Sequence, residues 1–414
     1  MARNDIFHGR RTILKSSGAV IATAVTLGNA SAVASGKSGS FDPEDSSTDE
    51  IEDGLPDVFR VVDPDADAGF HFPYFLFVPR SEPDVERPII VQGNNTPSTD
   101  DDFQVHLEYA SRGIEQITGI LAADLECPAL VPAFPRFRTE PLPWDVYLQV
   151  LDDSTLELEE PPFERIDRQL VSMIEDAKAR LSAESFDIAD QIHLHGFSAS
   201  STFANRFTFL HPELVQAASM GGNGVRMVPK KTLDGHTLPY PVGVADFEEI
   251  TGREFDFQAW SEIEQYMFVG EKDQPLPEDD SRGYRSFANL DDETAEMIVD
   301  IFGENRVTER FPVTKSIYTE EGASAEFTVY EDVGHAYNAE IIADLVEFHR
   351  QHMDIREDGQ QPEETPEPTE SPTQETTPTA TETTPEDTPG FEIWQAGIAL
   401  GTIGYLLKER RSTK

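Results

Sequence analysis

The sequence predicts an α/β fold built on a doubly wound, mainly parallel sheet. Its predicted strands are short runs that are apolar continuously rather than alternately, as strands buried on both faces are. They alternate with helical stretches, which is the order that produces parallel βαβ units. The clearest helix is predicted at 165–181, where one apolar stripe carries Ile166, Leu170, Met173, Ile174, Ala177 and Leu181.

The other predicted elements follow in order along the chain. Strands are predicted at 74–79, 88–93, 129–133, 215–221, 266–269 and 325–330, and a short apolar run that ends at Gly196-Phe197 predicts another. Helical segments are predicted at 101–125 with an interruption near Gly113, directly after the Ser198 turn in the segment that carries Phe203, Phe207 and Leu210, and at 291–302, 308–320 and 339–349. The insertion between residues 221 and 266 is rich in Gly, Pro and aromatic residues, and we expect it to form part of a lid.

A serine lies at the apex of a predicted strand-turn-helix, in the stretch Gly196-Phe197-Ser198-Ala199-Ser200. A nucleophile at such a turn sits on strained backbone with its hydroxyl exposed, so the residues two before and two after it must be small. Gly196 and Ser200 meet that requirement. The pattern indicates that Ser198 is a nucleophile, and the alternative is an ordinary turn serine.

An acid and a histidine follow at the ends of two later strands. Asp273 comes after the strand that ends near Val269, and His335 comes after the strand at 325–330. A serine hydroxyl is a weak nucleophile until an imidazole takes its proton, and a carboxylate holds that imidazole in the required tautomer. The order Ser198, Asp273, His335 therefore indicates a catalytic triad. Glu271 and Asp332 remain alternatives for the acid.

The loop after the second predicted strand is a candidate for binding the developing oxyanion. Backbone N–H groups of Ala199 and of Asn94, which follows Gly93, are predicted to donate to that oxygen, although Gly93 and Asn94 could form a simple turn. Arg136 and Arg138 follow a strand and are candidates for binding an anionic substrate, the alternative being charge balance.

The chain from Tyr74 to His349 resembles the α/β-hydrolase family in the strand-turn-helix around Ser198 and in the order of its three catalytic candidates. The stretch Gly196-Phe-Ser-Ala-Ser, with Phe203, Asn205, Arg206 and Phe207 behind it, is similar to that of secreted esterases and polyester depolymerase-like members. One departure is Ser200, where the usual pattern has Gly.

This resemblance implies a serine hydrolase that cleaves a small-molecule or polymer ester through an acyl-enzyme, with no metal or organic cofactor. An amidase or a polyester depolymerase would use the same triad, so the sequence leaves that choice open. The rival class is a non-catalytic surface protein on the same scaffold. The complete set of Ser198, Asp273 and His335 argues against it.

The N-terminal residues resemble a twin-arginine export signal. Arg10 and Arg11 precede a mildly apolar stretch and small residues, which predicts a signal peptide at 1–34 and passage through the twin-arginine translocase. Residues 35–56 are rich in Ser, Gly and acids and are predicted to be a disordered linker before a domain at 57–353.

The C-terminal residues resemble the Pro-Gly-Phe sorting signal of haloarchaeal surface proteins. A Thr, Pro and Glu-rich stalk is predicted at 354–388, and 389–414 contains Pro389-Gly-Phe, an apolar segment and a basic end. The resemblance implies cleavage by an archaeosortase and transfer to a lipid anchor in the membrane. The alternative is an uncleaved C-terminal membrane helix, and both place the domain on the cell surface.

The formal net charge is -46, and acidic residues are dispersed through the whole chain. At molar salt the Debye length falls to roughly 3 Å, so the repulsion among these charges is screened. We interpret the charge as adaptation to a saline medium, and it argues against nucleic acid or an anionic membrane surface as a partner. The single cysteine, Cys127, is predicted to be a buried thiol.

Overall fold

The computed structural model describes residues 58–80, 85–139, 141–142, 146–223, 226–273 and 292–353. The predicted signal peptide, linker, stalk and sorting signal all lie outside these residues. Among the described residues, no helix combines the length and apolar character needed to cross a membrane.

Eight strands form the central sheet, in the order β1-β2-β4-β3-β5-β6-β9-β10. Six of them, from β4 to β10 in that order, run parallel, and β2 is antiparallel to both of its neighbours. The predicted mainly parallel sheet is therefore confirmed. The strands are β1 (Phe59–Val62), β2 (Tyr74–Phe77), β3 (Ile90–Gln92), β4 (Ala129–Pro132), β5 (Ile192–Phe197), β6 (Val215–Gly221), β9 (Glu264–Gly270) and β10 (Ala325–Tyr330), with a separate hairpin of β7 (Thr232–Leu233) and β8 (His236–Thr237).

Helices connect the parallel strands, as the alternating pattern predicts, and a last helix follows β10. They are α1 (Phe103–Glu115), α2 (Ile117–Leu125), α3 (Asp153–Leu156), α4 (Ile166–Ala183), α5 (Ala199–Leu210), α6 (Phe247–Thr251), α7 (Phe257–Ser261), α8 (Asp292–Phe302), α9 (Phe311–Glu321) and α10 (Ala339–Gln351). The stripe predicted for α4 is buried throughout. This arrangement, with a serine turn directly after the central strand β5, is that of the α/β-hydrolase fold.

Some elements differ from the prediction. The short elements β7, β8, α3, α6 and α7 were not predicted. The edge strand β1 was not predicted either, because an antiparallel edge strand with three half-buried residues and one buried residue has a weak pattern. The first helical stretch breaks at Gln116 rather than near Gly113, which gives two helices. A Cβ on Gly119 would lie 2.2 Å from the carbonyl oxygen of Ile114, so Gly119 allows α2 to pack against the end of α1.

The described part of the insertion packs onto the domain. Trp260 is fully buried, and its ring lies 4.8 Å from that of Phe209 on α5. The Tyr240 hydroxyl donates to the carbonyl of Leu151. Trp260 and Tyr240 therefore pack the insertion against α5 and Leu151, and a lid function for the insertion stays a prediction.

The parallel strands bring five loops to one edge of the sheet. β3, β5, β6, β9 and β10 all point the same way, so the residues that follow them meet at their carboxyl ends. In open α/β sheets this edge is where ligands bind. The predicted catalytic and oxyanion-binding residues follow β3, β5, β9 and β10, whereas Arg136 and Arg138 follow β4.

Candidate active site

Ser198 lies at the junction of β5 and α5 in a conformation that L-residues rarely adopt. Its φ is 62° and its ψ is −123°, whereas non-glycine residues avoid positive φ. The turn is sharp enough that a Cβ on Gly196 would lie 2.4 Å from the carbonyl oxygen of Ser200. The backbone therefore holds Ser198 on a strained turn, and glycine is required at 196.

Ser200 stabilises the same turn with its side chain. Its hydroxyl accepts a hydrogen bond from the N–H of Phe197 at 2.9 Å and donates to the carbonyl of Phe197 at 2.9 Å. Glycine, the usual residue at this place, could make neither bond. The departure from the family pattern thus has a local structural reason.

Ser200→Ala is expected to destabilise the protein by about 1–3 kcal/mol, because the Phe197 N–H would lose its partner inside the fold. Denaturant unfolding in molar salt measures the change. Ser201→Ala is the matched control, since the buried Ser201 hydroxyl has no hydrogen-bond partner in the part of the chain that the structure describes and its loss should cost little. Equal destabilisation of the two variants would contradict the assigned role of Ser200.

Backbone contacts join the loop that carries Asp273 to the loop that carries His335. The N–H of Lys272 donates to the carbonyl of Val333 at 2.8 Å. A Cβ on Gly270 would lie 2.3 Å from the same oxygen, so a side chain there would separate the loops. Neighbouring parallel strands β9 and β10 therefore present the two residues side by side.

A hydrogen bond joins His335 to Asp273. Nδ1 of His335 lies 3.1 Å from Oδ1 and 3.0 Å from Oδ2 of Asp273. The carboxylate is 3% exposed, whereas the imidazole is 42% exposed. The carboxylate sets the tautomer with a proton on Nδ1, which leaves Nε2 as an acceptor on the open side of the ring.

The two alternative acids are engaged elsewhere. The Glu271 carboxylate accepts from the N–H of Asp332 at 3.0 Å, and Asp332 pairs with Lys272 at 2.6 Å. The Asp332 side chain is 87% exposed. Of the three acids considered from the sequence, Asp273 is the one that the structure brings to His335.

Phe197 connects Ser198 to His335. Its ring lies 4.7 Å from the imidazole, centroid to centroid. Gly222 lies against both rings, because a Cβ there would be 2.9 Å from Phe197 and 3.0 Å from Cε1 of His335. Within the described residues the Ser198 hydroxyl has no hydrogen-bond partner. Hydrogen bonds between a nucleophile and its base are often long in ligand-free enzymes and shorten when substrate binds.

The loop after β3 is held beside the serine turn. The Asn94 side chain donates to the carbonyl of Phe134 at 2.8 Å and accepts from its N–H at 3.2 Å. The Asn95 amide donates to the carbonyl of Phe197 at 3.4 Å. In the described part of the chain the N–H groups of Asn94 and Ala199 make no hydrogen bond. Gly93 fits under the Phe203 ring, which would lie 3.2 Å from a Cβ.

Arg136 and Arg138 brace this loop. Nη1 of Arg136 donates to the carbonyl of Thr96 at 2.9 Å, and the guanidinium lies 3.9 Å from the centre of the Tyr147 ring. Nη2 of Arg138 donates to the carbonyl of Thr99 at 2.9 Å. Both guanidinium groups are used in loop contacts, which favours a structural role over substrate binding.

Sequence reasoning missed Arg306. Its Nη1 donates to Oδ1 of Asp273 at 2.7 Å, and its buried Nε has no hydrogen-bond partner among the described residues. Arg306 begins a five-residue π-helix, Arg306–Arg310, which lies partly between the helices predicted at 291–302 and 308–320. One arginine between two predicted helices carries no motif, so the sequence held no indication that this residue reaches the acid.

Two further buried side chains in this part of the fold were also missed. Both amide atoms of Asn223, which follows Gly222, lack a partner among the described residues. Arg226 donates from Nε to the Met267 sulfur at 3.1 Å, and burial lowers the pKa of its guanidinium to about 10. Arg226 therefore remains a cation at neutral pH and, with Arg306, places positive charge near Asp273.

No protein-family model matches this chain, and the comparison with curated proteins finds no significant relative. Among solved structures it is similar to poly(aspartic acid) hydrolase-1 from Sphingomonas sp. KT-1, with 14% identity, a TM-score of 0.45, and coverage of 68% of this chain and 94% of that one. It is also similar to LpqC, a poly(3-hydroxybutyrate) depolymerase from Bordetella parapertussis, with 15% identity, a TM-score of 0.46, and coverage of 76% and 94%.

A third similar structure is an S-formylglutathione hydrolase from Agrobacterium tumefaciens, with 14% identity, a TM-score of 0.39, and coverage of 71% of this chain and 95% of that one. At these identities and TM-scores the similarities carry no information about substrate. The fold is assigned from the strand order and the serine turn described above.

Proposed function

We propose that the protein is a serine hydrolase that cleaves carboxylic esters through an acyl-enzyme on Ser198. The observation that carries this proposal is the strained turn at Ser198, φ 62° and ψ −123°, beside the bonded pair of His335 and Asp273. Strain of this kind persists where the surrounding structure enforces it, and a serine at such a turn exposes its hydroxyl for attack.

In the proposed reaction, Nε2 of His335 takes the Ser198 proton while Oγ attacks the ester carbonyl carbon. The tetrahedral intermediate collapses, the C–O bond to the alcohol breaks, and His335 donates the proton to the leaving alcohol. A water molecule then attacks the acyl-enzyme with His335 as base, which releases the acid and restores the serine. Asp273 holds the imidazole and stabilises its cation in both steps.

The oxyanion of each intermediate is stabilised by the N–H groups of Ala199 and Asn94 in this proposal. Ala199 is the first residue of α5, so its N–H has no acceptor within the helix, and the helix dipole favours negative charge there. Removal of one such donor costs roughly 3 kcal/mol in serine hydrolases. The contact of Asn95 with Phe197 keeps the two donors beside each other.

Arg306→Met is expected to lower kcat about tenfold with little change in KM, because the Asp273 carboxylate would lose the donor that holds Oδ1. Lys272→Met is the matched control: it removes one positive charge nearby, but this ammonium is exposed and pairs with Asp332. Kinetics in molar salt and the unfolding midpoint are measured together. Equal losses in both variants would assign the effect to general charge rather than to the bond.

Fluorophosphonate labelling of the protein in molar salt tests the proposed nucleophile. Mass spectrometry is expected to locate the adduct on the peptide that contains Ser198, and p-nitrophenyl esters are expected to be hydrolysed. Parallel assays with a p-nitroanilide and with an aliphatic polyester distinguish an amidase or a depolymerase from an esterase. If the protein takes no label and hydrolyses no ester at high salt, that result would favour the non-catalytic surface protein instead.

We also propose that this hydrolase acts at the cell surface, after export by the twin-arginine translocase and anchoring through its C-terminus by an archaeosortase. The proposal is supported by Arg10, Arg11 and the Pro389-Gly-Phe segment in the sequence. Replacement of both arginines with lysine should leave the protein in the cytoplasm. Surface display that is unaffected by this change would refute the export route.

A further inference from the structure

A continuous chain of hydrogen-bonded side chains runs along the buried face of the sheet under α10. None of these side chains makes or breaks a bond in the reaction proposed above, although the upper end of the row lies beside the serine turn. Polar groups in a core are costly unless each one is satisfied, so an unbroken chain calls for an explanation. Its members, from the site downward, are Tyr337, His195, Ser219, His349, His193 and Gln216.

The upper half of the chain joins the His335 loop to the centre of the sheet. The Tyr337 hydroxyl lies 2.9 Å from Nε2 of His195. Nδ1 of His195 lies 2.8 Å from Oγ of Ser219, its register partner on β6. The same Oγ lies 2.8 Å from Nε2 of His349 on α10. His195, Ser219 and His349 are fully buried.

The lower half of the chain ends at a bulge in β6. Nδ1 of His349 lies 3.1 Å from Nδ1 of His193, whose Nε2 lies 3.2 Å from Oε1 of Gln216. The register shifts at this point, because Val215 and Ala217 pair with consecutive residues of β5. Gln216 is therefore the extra residue of a bulge, and bulges redirect a side chain.

The acceptor at the lower end determines which nitrogen of each lower imidazole carries a proton. A neutral imidazole has one donor nitrogen and one acceptor nitrogen, and an amide oxygen only accepts. His193 must therefore donate to Gln216 from Nε2. Its Nδ1 is then an acceptor, so His349 must donate to it from Nδ1.

The same reasoning determines the upper bonds. With its proton on Nδ1, His349 accepts at Nε2 from the Ser219 hydroxyl, whose oxygen then accepts from Nδ1–H of His195. Nε2 of His195 is left to accept from the Tyr337 hydroxyl. All five bonds are satisfied by neutral imidazoles with one direction of donation, from Tyr337 down to Gln216.

Burial agrees with neutral imidazoles. Desolvation lowers the pKa of His193 to about 4 and that of His195 to about 3, and it holds the pKa of His349 well below its usual value. The titratable group that faces His193 and His349 is His352, at the end of α10. The three imidazoles in this row of hydrogen bonds are therefore uncharged at neutral pH.

Tyr337 is joined to His335 along the chain and contacts the residue that precedes Ser198. It lies two residues after His335, and its ring is 4.6 Å from that of Phe197, centroid to centroid. Phe197 directly precedes Ser198 and contacts the His335 ring at 4.7 Å. A shift of Tyr337 would therefore move the His335 loop and the serine turn relative to each other.

We propose that Tyr337 is a positioning residue for His335, and that the hydrogen-bonded chain from His195 to Gln216 holds it in place. This inference rests on the proposed hydrolase function for its kinetic consequence. It does not rest on that function for its structural content, which is the direction of the five bonds.

Nitrogen NMR of the 15N-labelled protein tests the direction of the bonds without any assay of activity. Nδ1–H is expected for His195 and His349, and Nε2–H for His193, all neutral at pH 7. The reversed set, with Nε2–H on His195 and His349 and Nδ1–H on His193, would make Tyr337 an acceptor and overturn the inference. A cationic imidazole at any of the three positions would do the same.

Tyr337→Phe is expected to lower kcat about fivefold to tenfold with KM changed by less than about twofold. The aromatic ring stays, but the hydrogen bond from its hydroxyl to His195 is lost. Tyr266→Phe is the matched control. Tyr266 is also buried and loses a hydroxyl hydrogen bond, to Tyr330, but its ring contacts within the described residues are with Phe268 and Phe348 rather than with Phe197 or His335. Unchanged kcat in Tyr337→Phe would overturn the positioning role.

Ser219→Ala breaks the chain at its centre without touching Tyr337. It is expected to lower kcat in the same direction, and the double variant with Tyr337→Phe should be no slower than Tyr337→Phe alone, because both changes act through one chain. If the double variant were slower than Tyr337→Phe by the full factor that Ser219→Ala causes on its own, the inference would be overturned. If the wild-type protein hydrolyses no ester and takes no label, the proposed function fails, while the tautomer measurement still decides the bond direction.

Discussion

Ser198→Ala is expected to lower kcat by roughly 10⁶-fold and to abolish fluorophosphonate labelling. The hydroxyl is the only atom group removed, and the acyl-enzyme cannot form without it. Residual hydrolysis from the oxyanion donors and substrate binding should remain about 10³- to 10⁴-fold above the uncatalysed rate. The rate of p-nitrophenyl ester hydrolysis in molar salt measures the effect.

Ser201→Ala is the control for this variant. Ser201 lies in the first turn of α5, three residues after Ser198, and its hydroxyl has no partner among the described residues. Its labelling and turnover should match those of the wild-type protein. Robust labelling of Ser198→Ala would exclude Ser198 as the nucleophile. Loss of labelling in both variants would indicate damage to the serine turn instead.

Asp273→Asn is expected to lower kcat by about 10⁴-fold, because an amide can stabilise the wrong imidazole tautomer and cannot stabilise the imidazolium. Asp273 is buried, and both of its oxygens lie within 3.1 Å of Nδ1 of His335. The size of the loss is measured as kcat at saturating ester in molar salt, with circular dichroism as the check on folding.

Glu271→Gln and Asp332→Asn are the matched amide controls for Asp273→Asn. Both residues lie in the same pair of loops, but the Glu271 carboxylate accepts from the N–H of Asp332, and Asp332 is largely exposed. Each control should keep kcat within about threefold of wild type. Undiminished turnover in Asp273→Asn, with a large loss in one control, would transfer the orienting role to that acid.

The fold could be predicted because its pattern is local. Continuous apolar runs such as 129–133 and the stripe of α4 indicate elements buried by a sheet with helices, and the structure confirms both. β1 could not be predicted, because a short edge strand gains its stability from pairing with β2 rather than from its own composition.

The candidate site could be predicted only in part. Because parallel strands end at one edge, a serine, an acid and a histidine at successive strand ends are expected to lie near each other, and this follows from the sequence. The choice among Asp273, Glu271 and Asp332 does not, because residues this close in sequence differ only in the direction that the loop gives each side chain.

By itself, the sequence determined the sheet, the serine turn and the order of the proposed triad residues, since each depends on residues adjacent along the chain. The tertiary structure alone decided that Arg306 reaches Asp273 at 2.7 Å and that a bulge at Gln216 completes a chain of bonds up to Tyr337. The reason is physical: these contacts join side chains whose own segments carry no pattern, and only packing of distant elements brings their polar atoms within hydrogen-bonding distance.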